Sequence, residues 1–211
     1  MKIGIIGSGV VAQTLAAGFL KHGHQVTLGT RDPARLASYA DTTPGVQVAS
    51  GAQAAAFGDV VVLAVKGSAA LQAARDAGAA LDGKPVLDAC NPIADAPPVD
   101  GVLASFTGPN DSLMEQLQRA HPAARFVKAF NSVGAARMID PSFEGGPPTM
   151  FIAGDDADAK AVATRLLAEV GWEAADMGGA VAARAIEPLA VLWCIPGFRD
   201  NSWTHGFKLL R

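Results

Sequence analysis

Cysteine is scarce in this sequence, and its placement excludes several classes of protein. The two cysteines, Cys90 and Cys194, lie far apart and form no CxxC pattern. A disulfide-stabilised secreted domain and a cysteine-based metal site both need more thiols at closer spacing. We therefore expect two reduced thiols, no metal site and a cytoplasmic location.

Charge of one sign and long apolar runs are also lacking. Charged residues make up 18% of the chain, the net charge is −3 and the basic residues are scattered, so no basic stripe indicates nucleic acid. Glycines interrupt the apolar start Ile3–Ile6, which argues against a signal peptide. The apolar run Pro188–Phe198 is shorter than the ~20 residues that span a bilayer. We expect neither a nucleic-acid partner nor a membrane partner.

A regular alternation of strand-like and helix-like segments is what the sequence does have. It predicts an α/β fold with helices on both faces of a doubly wound parallel sheet. A loop rich in glycine and proline suggests a boundary near residue 145. The predicted strands are Lys2–Ile6, Gln25–Leu28, Val46–Val48, Val60–Val65, Pro85–Asp88, Arg125–Ala129, Thr149–Ala153 and Trp172–Asp176. The predicted helices are Val10–His22, Pro33–Tyr39, Gln53–Phe57, Ala69–Ala79, Leu113–Ala120, Asp156–Val170 and Val181–Leu192.

A glycine-rich turn follows the first strand. Gly7, Gly9 and Ala12 fit the pattern G-x-G-x-x-G/A between a strand and a helix, the context that makes this pattern specific. It predicts a Rossmann-type dinucleotide site, where Gly7 forms the tight turn and Gly9 admits the pyrophosphate. A plain connecting turn and a nucleoside site without pyrophosphate are the alternatives. The other binding candidates in this turn are Ser8, Val10 and Val11.

The end of the second strand indicates which dinucleotide binds. NAD sites usually place an acid there for the ribose 2′-hydroxyl, whereas this chain has a threonine followed by an arginine. Arg31 and Arg35 can bind a 2′-phosphate through charge-assisted hydrogen bonds, and Thr30 can add a hydroxyl. We interpret Asp32 as the cap of the next helix. The pattern favours NADP(H) over NAD(H), with a solvated helix start as the alternative for the arginines.

The loops after the fourth, fifth and sixth strands should surround the nicotinamide, because ligands of such sheets bind beyond the carboxyl ends of the strands. None of these loops offers a histidine, or an acid in its first few positions. Hydride transfer between two rings needs positioning more than proton chemistry, so we predict no catalytic acid or base. The loop candidates for a catalytic role are Asn131, Ser132 and Lys66. The cofactor-binding candidates are Val65, Lys66, Asn91, Asn131, Val133, Gly134 and Ala135.

Several longer motifs go beyond the glycine turn. They are IGIIGSGVVA at 3–12, LGTRDP at 28–33, VVLAV at 61–65, NPI at 91–93, VKAFNSVGA at 127–135, PTMFIAGDD at 148–156, DMGG at 176–179, ARAIEPLA at 183–190 and GFKLL at 206–210. Together they resemble, over essentially the whole chain, the NADP-dependent oxidoreductases of coenzyme F420, a deazaflavin. The resemblance implies a Rossmann domain at 1–145, a small C-terminal α/β domain at 146–211 that closes the cleft, and a homodimer. It also implies that Thr30, Arg31 and Arg35 hold the 2′-phosphate and that the loop 131–135 lies by the nicotinamide.

Two departures from the family pattern concern the acceptor. Many members have Pro-Trp where this chain has Lys66 and Gly67, and deazaflavin-using members carry a histidine where this chain has Asn131. Hydride could therefore pass between NADP(H) and a deazaflavin, a flavin or a ferric chelate, with that small molecule as the redox partner. A reductase of a small metabolite and a non-catalytic NADP(H)-binding redox sensor are the remaining alternatives.

Three further expectations concern side chains outside the glycine turn and the nicotinamide loops. Lys128 is predicted to reach out at the end of its strand. Arg184 and Glu187, three apart on a predicted helix, are placed to pair with each other or with a cofactor amide. The tail aromatics either line an acceptor pocket or form core or dimer interface; they are Trp193, Phe198, Trp203 and Phe207.

Overall fold

The computed structural model describes residues 1–210 and confirms the predicted order of strands and helices. The first half holds β1 (Lys2–Ile6), α1 (Val10–Lys21), β2 (Gln25–Gly29), α2 (Ala37–Thr42), β3 (Val46–Ala49), α3 (Gly51–Phe57), β4 (Val60–Leu63), α4 (Gly67–Ala77) and β5 (Pro85–Asp88). The second half holds α5 (Leu113–Ala120), β6 (Arg125–Lys128), β7 (Thr149–Ile152), α6 (Ala157–Glu169), β8 (Glu173–Asp176), α7 (Ala183–Ile186) and α8 (Pro188–Asp200). Short 3₁₀ turns precede α2 and α7 and follow α4.

Six parallel strands form the main sheet in the order β3-β2-β1-β4-β5-β6. The strand order reverses between β1 and β4, which creates the crevice where such sheets bind ligands. All four side chains of β4 are buried, as expected for a central strand covered on both faces. The predicted doubly wound α/β fold is therefore confirmed.

Helix α1 shows how the sequence covers one face of this sheet. Ala12, Leu15, Ala16 and Phe19 are all fully buried, and their spacing puts them on one side of a helix. They join side chains of β1 and β2 in one hydrophobic cluster. Full burial of a side chain as large as Leu15 or Phe19 stabilises a fold by about 1.5–3 kcal/mol.

The C-terminal part adds a second, two-stranded parallel sheet made of β7 and β8. A bridge between Lys128 and Ala153 connects it to the edge of the main sheet. Side chains of α6, including Leu166 and Leu167, lie in the same hydrophobic cluster as those of α1 and β1. The division at residue 145 thus separates two segments that share core, and the two-domain organisation stays a prediction.

The last helical stretch is longer than predicted. It runs from Ala180 to Asp200 as a 3₁₀ turn followed by α7 and α8. By length and composition alone this stretch could cross a membrane, although a core helix of a soluble protein passes the same test. Its charged residues Arg184 and Glu187 make ion pairs with other elements of the fold.

The tail returns along the edge of β7. The amide of Thr149 donates to the carbonyl of Phe207, and the amide of Leu209 donates to the hydroxyl of Thr149. Trp193 donates to the carbonyl of His205, whose ring stacks on the indole at 5.0 Å between centroids. Within residues 1–210, this pairing holds the tail against α8.

Candidate functional site

The glycine turn joins β1 to α1 at the reversal of strand order. Gly7 has a φ of 147°, and a Cβ there would lie 2.2 Å from the carbonyl oxygen of Ala64. Both the backbone angle and the close approach require glycine. The amide of Gly7 donates to the carbonyl of Gly29 at 2.9 Å, which places the turn directly beside the end of β2.

The start of α1 is open and has no side-chain cap. Gly9 occupies the N-cap position in an extended conformation, and a Cβ built there would meet nothing within 4 Å. The first amides of a helix lack intrahelical partners and carry partial positive charge. Val10 is 68% exposed beside them. This end of α1 therefore offers free donors and space of the kind that an anion such as a pyrophosphate needs.

The end of β2 carries the residues predicted to select the 2′-phosphate. Arg31 and Arg35 are exposed, and neither makes a salt bridge within residues 1–210. As predicted, the carboxylate of Asp32 caps the following turn by accepting from the amide of Ala34 at 3.1 Å. Thr30 is buried, and its hydroxyl lies 3.2–3.3 Å from the backbone of Asp32. The two guanidinium groups are available to an anion, whereas the hydroxyl already has a partner.

The reacting end of the site is formed by the loops after β4, β5 and β6. There, Asn91 and Asn131 are joined by two hydrogen bonds. The amide nitrogen of Asn91 donates to the carbonyl of Asn131 at 2.7 Å, and the amide nitrogen of Asn131 donates to Oδ1 of Asn91 at 3.1 Å. Asn131 also donates to the carbonyl of Ile186 at 3.0 Å. Because a carbonyl can only accept, this bond fixes which way the Asn131 amide faces.

This arrangement leaves one polar atom unsatisfied. Oδ1 of Asn131 is closed to solvent and has no hydrogen-bond partner among the described residues. An unpaired buried acceptor costs about 1–3 kcal/mol. Such exceptions call for an explanation by function or strain, so Asn131 is the most notable polar group at this end of the sheet.

The loop after β4 lies against the same pair. A Cβ at Gly67 would lie 1.9 Å from the carbonyl oxygen of Asn91, so this backbone arrangement admits no side chain at position 67. Lys66 points outward, where its ammonium pairs with the carboxylate of Asp95 at 3.0 Å. Both side chains are largely exposed, so this ion pair contributes little to stability. Val65 is half-buried and packs on the hydrophobic core.

The loop after β6 begins with a strained residue. Phe130 has a φ of 59°, a left-handed conformation that is uncommon for a side chain of this kind. Ser132 is buried with its hydroxyl near the sulfur of Met150, at 3.9 Å, so it faces the interior. Gly134 lies under Trp193, whose ring atom would be 2.5 Å from a Cβ there. Val133 is buried and Ala135 begins a 3₁₀ turn.

Lys128 is the largest correction to the sequence prediction. Instead of reaching outward, it is fully buried, and its ammonium lies 2.5 Å from a carboxylate oxygen of Asp88 and 2.8 Å from one of Glu187. Burial alone would lower the pKa of Lys128, but the two carboxylates outweigh it and raise the pKa above its ordinary value. Adjacent parallel strands that end in Asp88 and Lys128 were the signal in the sequence for this pair.

Arg184 and Glu187 do not pair with each other. The guanidinium of Arg184 binds the carboxylate of Glu115 with contacts of 2.7–3.2 Å. The hydrogen bonds from Arg184 hold the pKa of Glu115 below its ordinary value. Glu187 instead turns inward to Lys128. Tertiary contacts from α5 and β6 overrule the weak pairing along one helix, which is worth about 0.3 kcal/mol.

A pocket of about 120 Å³ is lined by residues that follow Asn91 in sequence and by residues of α8. Pro92 and Ile93, which follow Asn91, form one wall, and Pro188 and Val191 of α8 form another. Arg184 and Asp111 lie at its polar side. The lining residues Pro92 and Ile93 follow β5, whereas Arg31 follows β2 on the other side of β1 and β4 in the sheet.

Comparison with known proteins finds sequences and structures similar to this chain among the coenzyme F420-dependent NADP oxidoreductases. Residues 2–92 match the family model of the coenzyme F420-dependent NADP oxidoreductases. A solved structure from Arthrobacter sp. FB24, described as a candidate F420-dependent NADP reductase, is 35% identical over the full length of both chains, with a TM-score of 0.93. The F420-dependent NADP reductase of Methanothermobacter thermautotrophicus is 29% identical, covering 99% of this chain and 94% of its own.

A mammalian relative matches most of this chain but is itself much longer. Rat metalloreductase STEAP3 is 30% identical over 92% of this chain. The chain spans only 38% of the length of that protein. The likeness therefore concerns only the part of STEAP3 that aligns with these residues.

Proposed function

Because the chain belongs to the NADP-dependent coenzyme F420 oxidoreductase family, we propose that it transfers hydride between NADP(H) and the deazaflavin coenzyme F420 or a flavin-like acceptor. The observation that carries this proposal is the chemistry of the reacting end. Neutral amides of Asn91 and Asn131 occupy it and are engaged with each other. Lys66, which follows β4, is exposed and paired with Asp95 of the loop after β5. Such a site suits hydride transfer by positioning, without an acid or base from the protein.

The residues at the other end fit an NADP(H) molecule. The free amides at the start of α1 would hold the pyrophosphate, because Gly9 leaves the space open and no side chain caps the helix. Arg31 and Arg35 would bind the 2′-phosphate, which the unpaired guanidinium groups favour over a ribose hydroxyl. Thr30 would support the turn that presents them. The nicotinamide, once bound, supplies or receives the hydride.

The pocket between Ile93 and α8 is where we place the acceptor. Its lining begins at Pro92, the residue after Asn91, and is apolar at Pro92, Ile93 and Val191. At about 120 Å³ the pocket would take one edge of a planar heterocycle, where apolar walls remove the ring from water while a few polar groups orient it. The departures at Lys66 and Asn131 lie at this end, which is why the identity of the acceptor is the part to be tested.

A ferric chelate is the second candidate acceptor. The observation that favours it is the 30% identity to rat metalloreductase STEAP3 over nearly the whole chain. A small-metabolite reductase and an NADP(H)-binding sensor are the alternatives to both acceptors.

The assembly and location belong to the same proposal. We place residues 146–211 as a small domain that closes over the cleft, and the protein in the cytoplasm as a homodimer. Within the described chain, exposed apolar side chains on α8 and on the loop between β5 and α5, such as Leu192, Phe198 and Val102, supply a surface for the second copy. Sedimentation equilibrium of the purified protein measures this directly, and a monomer at every concentration would refute it.

The test of the proposed function is an anaerobic assay. The purified protein is mixed with NADPH and, separately, with oxidised coenzyme F420, FMN or ferric citrate, while absorbance of the nicotinamide is followed. We expect oxidation of NADPH with F420 and little with NADH as donor. Oxidation only with ferric citrate would favour the second candidate. Tight binding of NADPH without oxidation by any of these acceptors would refute both candidates and leave the sensor and the small-metabolite reductase.

A further inference from the structure

Three charged side chains lie closed from solvent directly behind the asparagine pair. Lys128 ends β6, Asp88 ends the neighbouring strand β5, and Glu187 lies between α7 and α8. The ammonium of Lys128 is 2.5 Å from Asp88 and 2.8 Å from Glu187, and it donates to the carbonyl of Cys90 at 2.8 Å. These three acceptors match the three donors of an ammonium group.

The carboxylates of this network are satisfied as well. Asp88 accepts from the amide of Cys90 at 2.9 Å. Glu187 accepts from the amides of Leu113 and Met114, at 2.9 and 3.0 Å, where α5 begins. Burying three charges is expensive, and a well-packed apolar cluster often stabilises a fold as well or better. Stability alone therefore does not account for this network.

The network and the asparagine pair are linked at two adjacent positions. Cys90, whose carbonyl receives the Lys128 ammonium, is followed directly by Asn91. Ile186, whose carbonyl receives the Asn131 amide, is followed directly by Glu187. The contacts form a closed ring that joins the ends of β5 and β6 to the C-terminal helices. Moving the ammonium would shift both asparagines.

We propose that Lys128 is a positioning residue, which sets the Asn91–Asn131 pair and thereby the nicotinamide end of the site. The inference rests on the proposed function for the identity of the ligand. Lys128 is buried beneath the loops and acts through Cys90 and Glu187. Its influence is confined to the reacting end, because the glycine turn and Arg31 are held by separate contacts around Gly7 and Asp32. Loss of Lys128 would thus weaken binding of the nicotinamide end of NADP(H) and leave binding of its adenosine end unchanged.

The test uses a variant with the network neutralised. Lys128→Met alone leaves two carboxylates unpaired and can fail to fold, so it is combined with Asp88→Asn and Glu187→Gln. Binding is measured for NADPH and for 2′,5′-ADP, which carries the 2′-phosphate but no nicotinamide. We expect the affinity for 2′,5′-ADP to change less than twofold, the affinity for NADPH to fall about tenfold, and single-turnover hydride transfer to fall about 100-fold.

Two controls separate positioning from general destabilisation. Lys160→Met removes an ammonium that also bonds an aspartate and a carbonyl, Asp176 and Gly178, but away from the asparagine pair. It should leave both affinities unchanged. The single variant Glu187→Gln keeps the contact between Lys128 and Asp88, and should lower NADPH affinity less than the triple variant.

Failure of the Lys128 proposal and failure of the proposed hydride transfer give different experimental results. NADPH affinity and hydride transfer equal to the wild type in the folded triple variant would overturn the role of Lys128. Equal losses for NADPH and 2′,5′-ADP would also overturn it, because they would show a structural effect on the whole site. If the wild-type protein binds NADPH but reduces no acceptor, the proposed function fails while the binding comparison still tests Lys128.

Discussion

The two ends of the site are built in opposite ways. The adenosine end is exposed and cationic, and it comes from residues close together in sequence, between Gly7 and Arg35. The reacting end is made of neutral amides, of which Asn131 is buried and Asn91 half-buried. The two follow different strands, and Asn131 contacts a third element through Ile186. Affinity for an anion needs reachable charge and open amides, whereas hydride transfer needs fixed geometry in a water-poor place. The adenosine end can therefore be built from residues close together in sequence, whereas the reacting end needs residues that the fold brings together from distant segments.

The largest effect is expected at the glycine turn, where two glycines have different roles. Gly7→Ala forces a φ of 147° on alanine and puts its Cβ 2.2 Å from the Ala64 carbonyl. We expect a loss of stability on the order of 3 kcal/mol or more, measured by urea unfolding. Gly9→Ala meets nothing within 4 Å and has an ordinary backbone angle. It should fold normally and lose NADPH affinity, because its methyl group occupies the pyrophosphate space. Equal stability of the two variants would contradict this account.

The next effect tests the charge at the adenosine end. Arg31→Ala combined with Arg35→Ala should weaken NADPH binding by about 100-fold or more, because each charge-assisted hydrogen bond is worth about 1.5–3 kcal/mol and about 1.4 kcal/mol corresponds to a tenfold change. NADH affinity should change little, since it has no 2′-phosphate. Arg75→Ala, an exposed arginine on α4 that bonds only Gln72 within the described chain, is the matched control. Unchanged discrimination between NADPH and NADH in the double variant would mean that other groups hold the phosphate.

A smaller effect on binding, with a larger one on rate, is expected at Asn131. Asn131→Ala removes the bonds to Asn91 and Ile186 and leaves two acceptors unsatisfied. We expect a loss of about 1–3 kcal/mol of stability and a fall in single-turnover rate that exceeds the fall in NADPH affinity. Ser132→Ala is the control, since its hydroxyl faces Met150 in the interior. If both variants lower the rate equally, the asparagine pair has no special part in the chemistry.

The smallest effect concerns acid stability near the pocket. Hydrogen bonds from Arg184 lower the pKa of Glu115 in the folded protein relative to the unfolded chain. This stabilisation is present above the ordinary pKa of the carboxyl and is lost as pH falls through the lower folded value. Stability should therefore decline in acid, and Glu115→Gln should show a shallower decline in urea unfolding from neutral to acidic pH. An identical pH profile for the variant would show that the hydrogen bonds from Arg184 to Glu115 do not cause the decline of stability in acid.

The same contrast explains how much the sequence could predict. The strands, the glycine turn, the cap at Asp32 and the exposed arginines depend on residues near one another in sequence, and local propensity and spacing indicate them. The burial of Lys128 depends on which strands are neighbours and on α7 returning to cover their ends. The partners of Arg184 and Trp193 likewise come from distant segments. Long-range packing selects among several possible partners for such side chains, and one sequence without tertiary contacts does not distinguish them.

Direct hydride transfer at the reacting end is the central claim, and isotope transfer tests it. NADPH carrying deuterium at C4 of the nicotinamide, prepared with the label on either face, is oxidised anaerobically by coenzyme F420 in the presence of the protein. We predict that deuterium from one face appears in the reduced deazaflavin and that none is lost to solvent, because the hydride passes directly between the two rings while the proton that completes the reduced ring comes from water. Label found in water, or no transfer from either face while NADPH is bound, would contradict it.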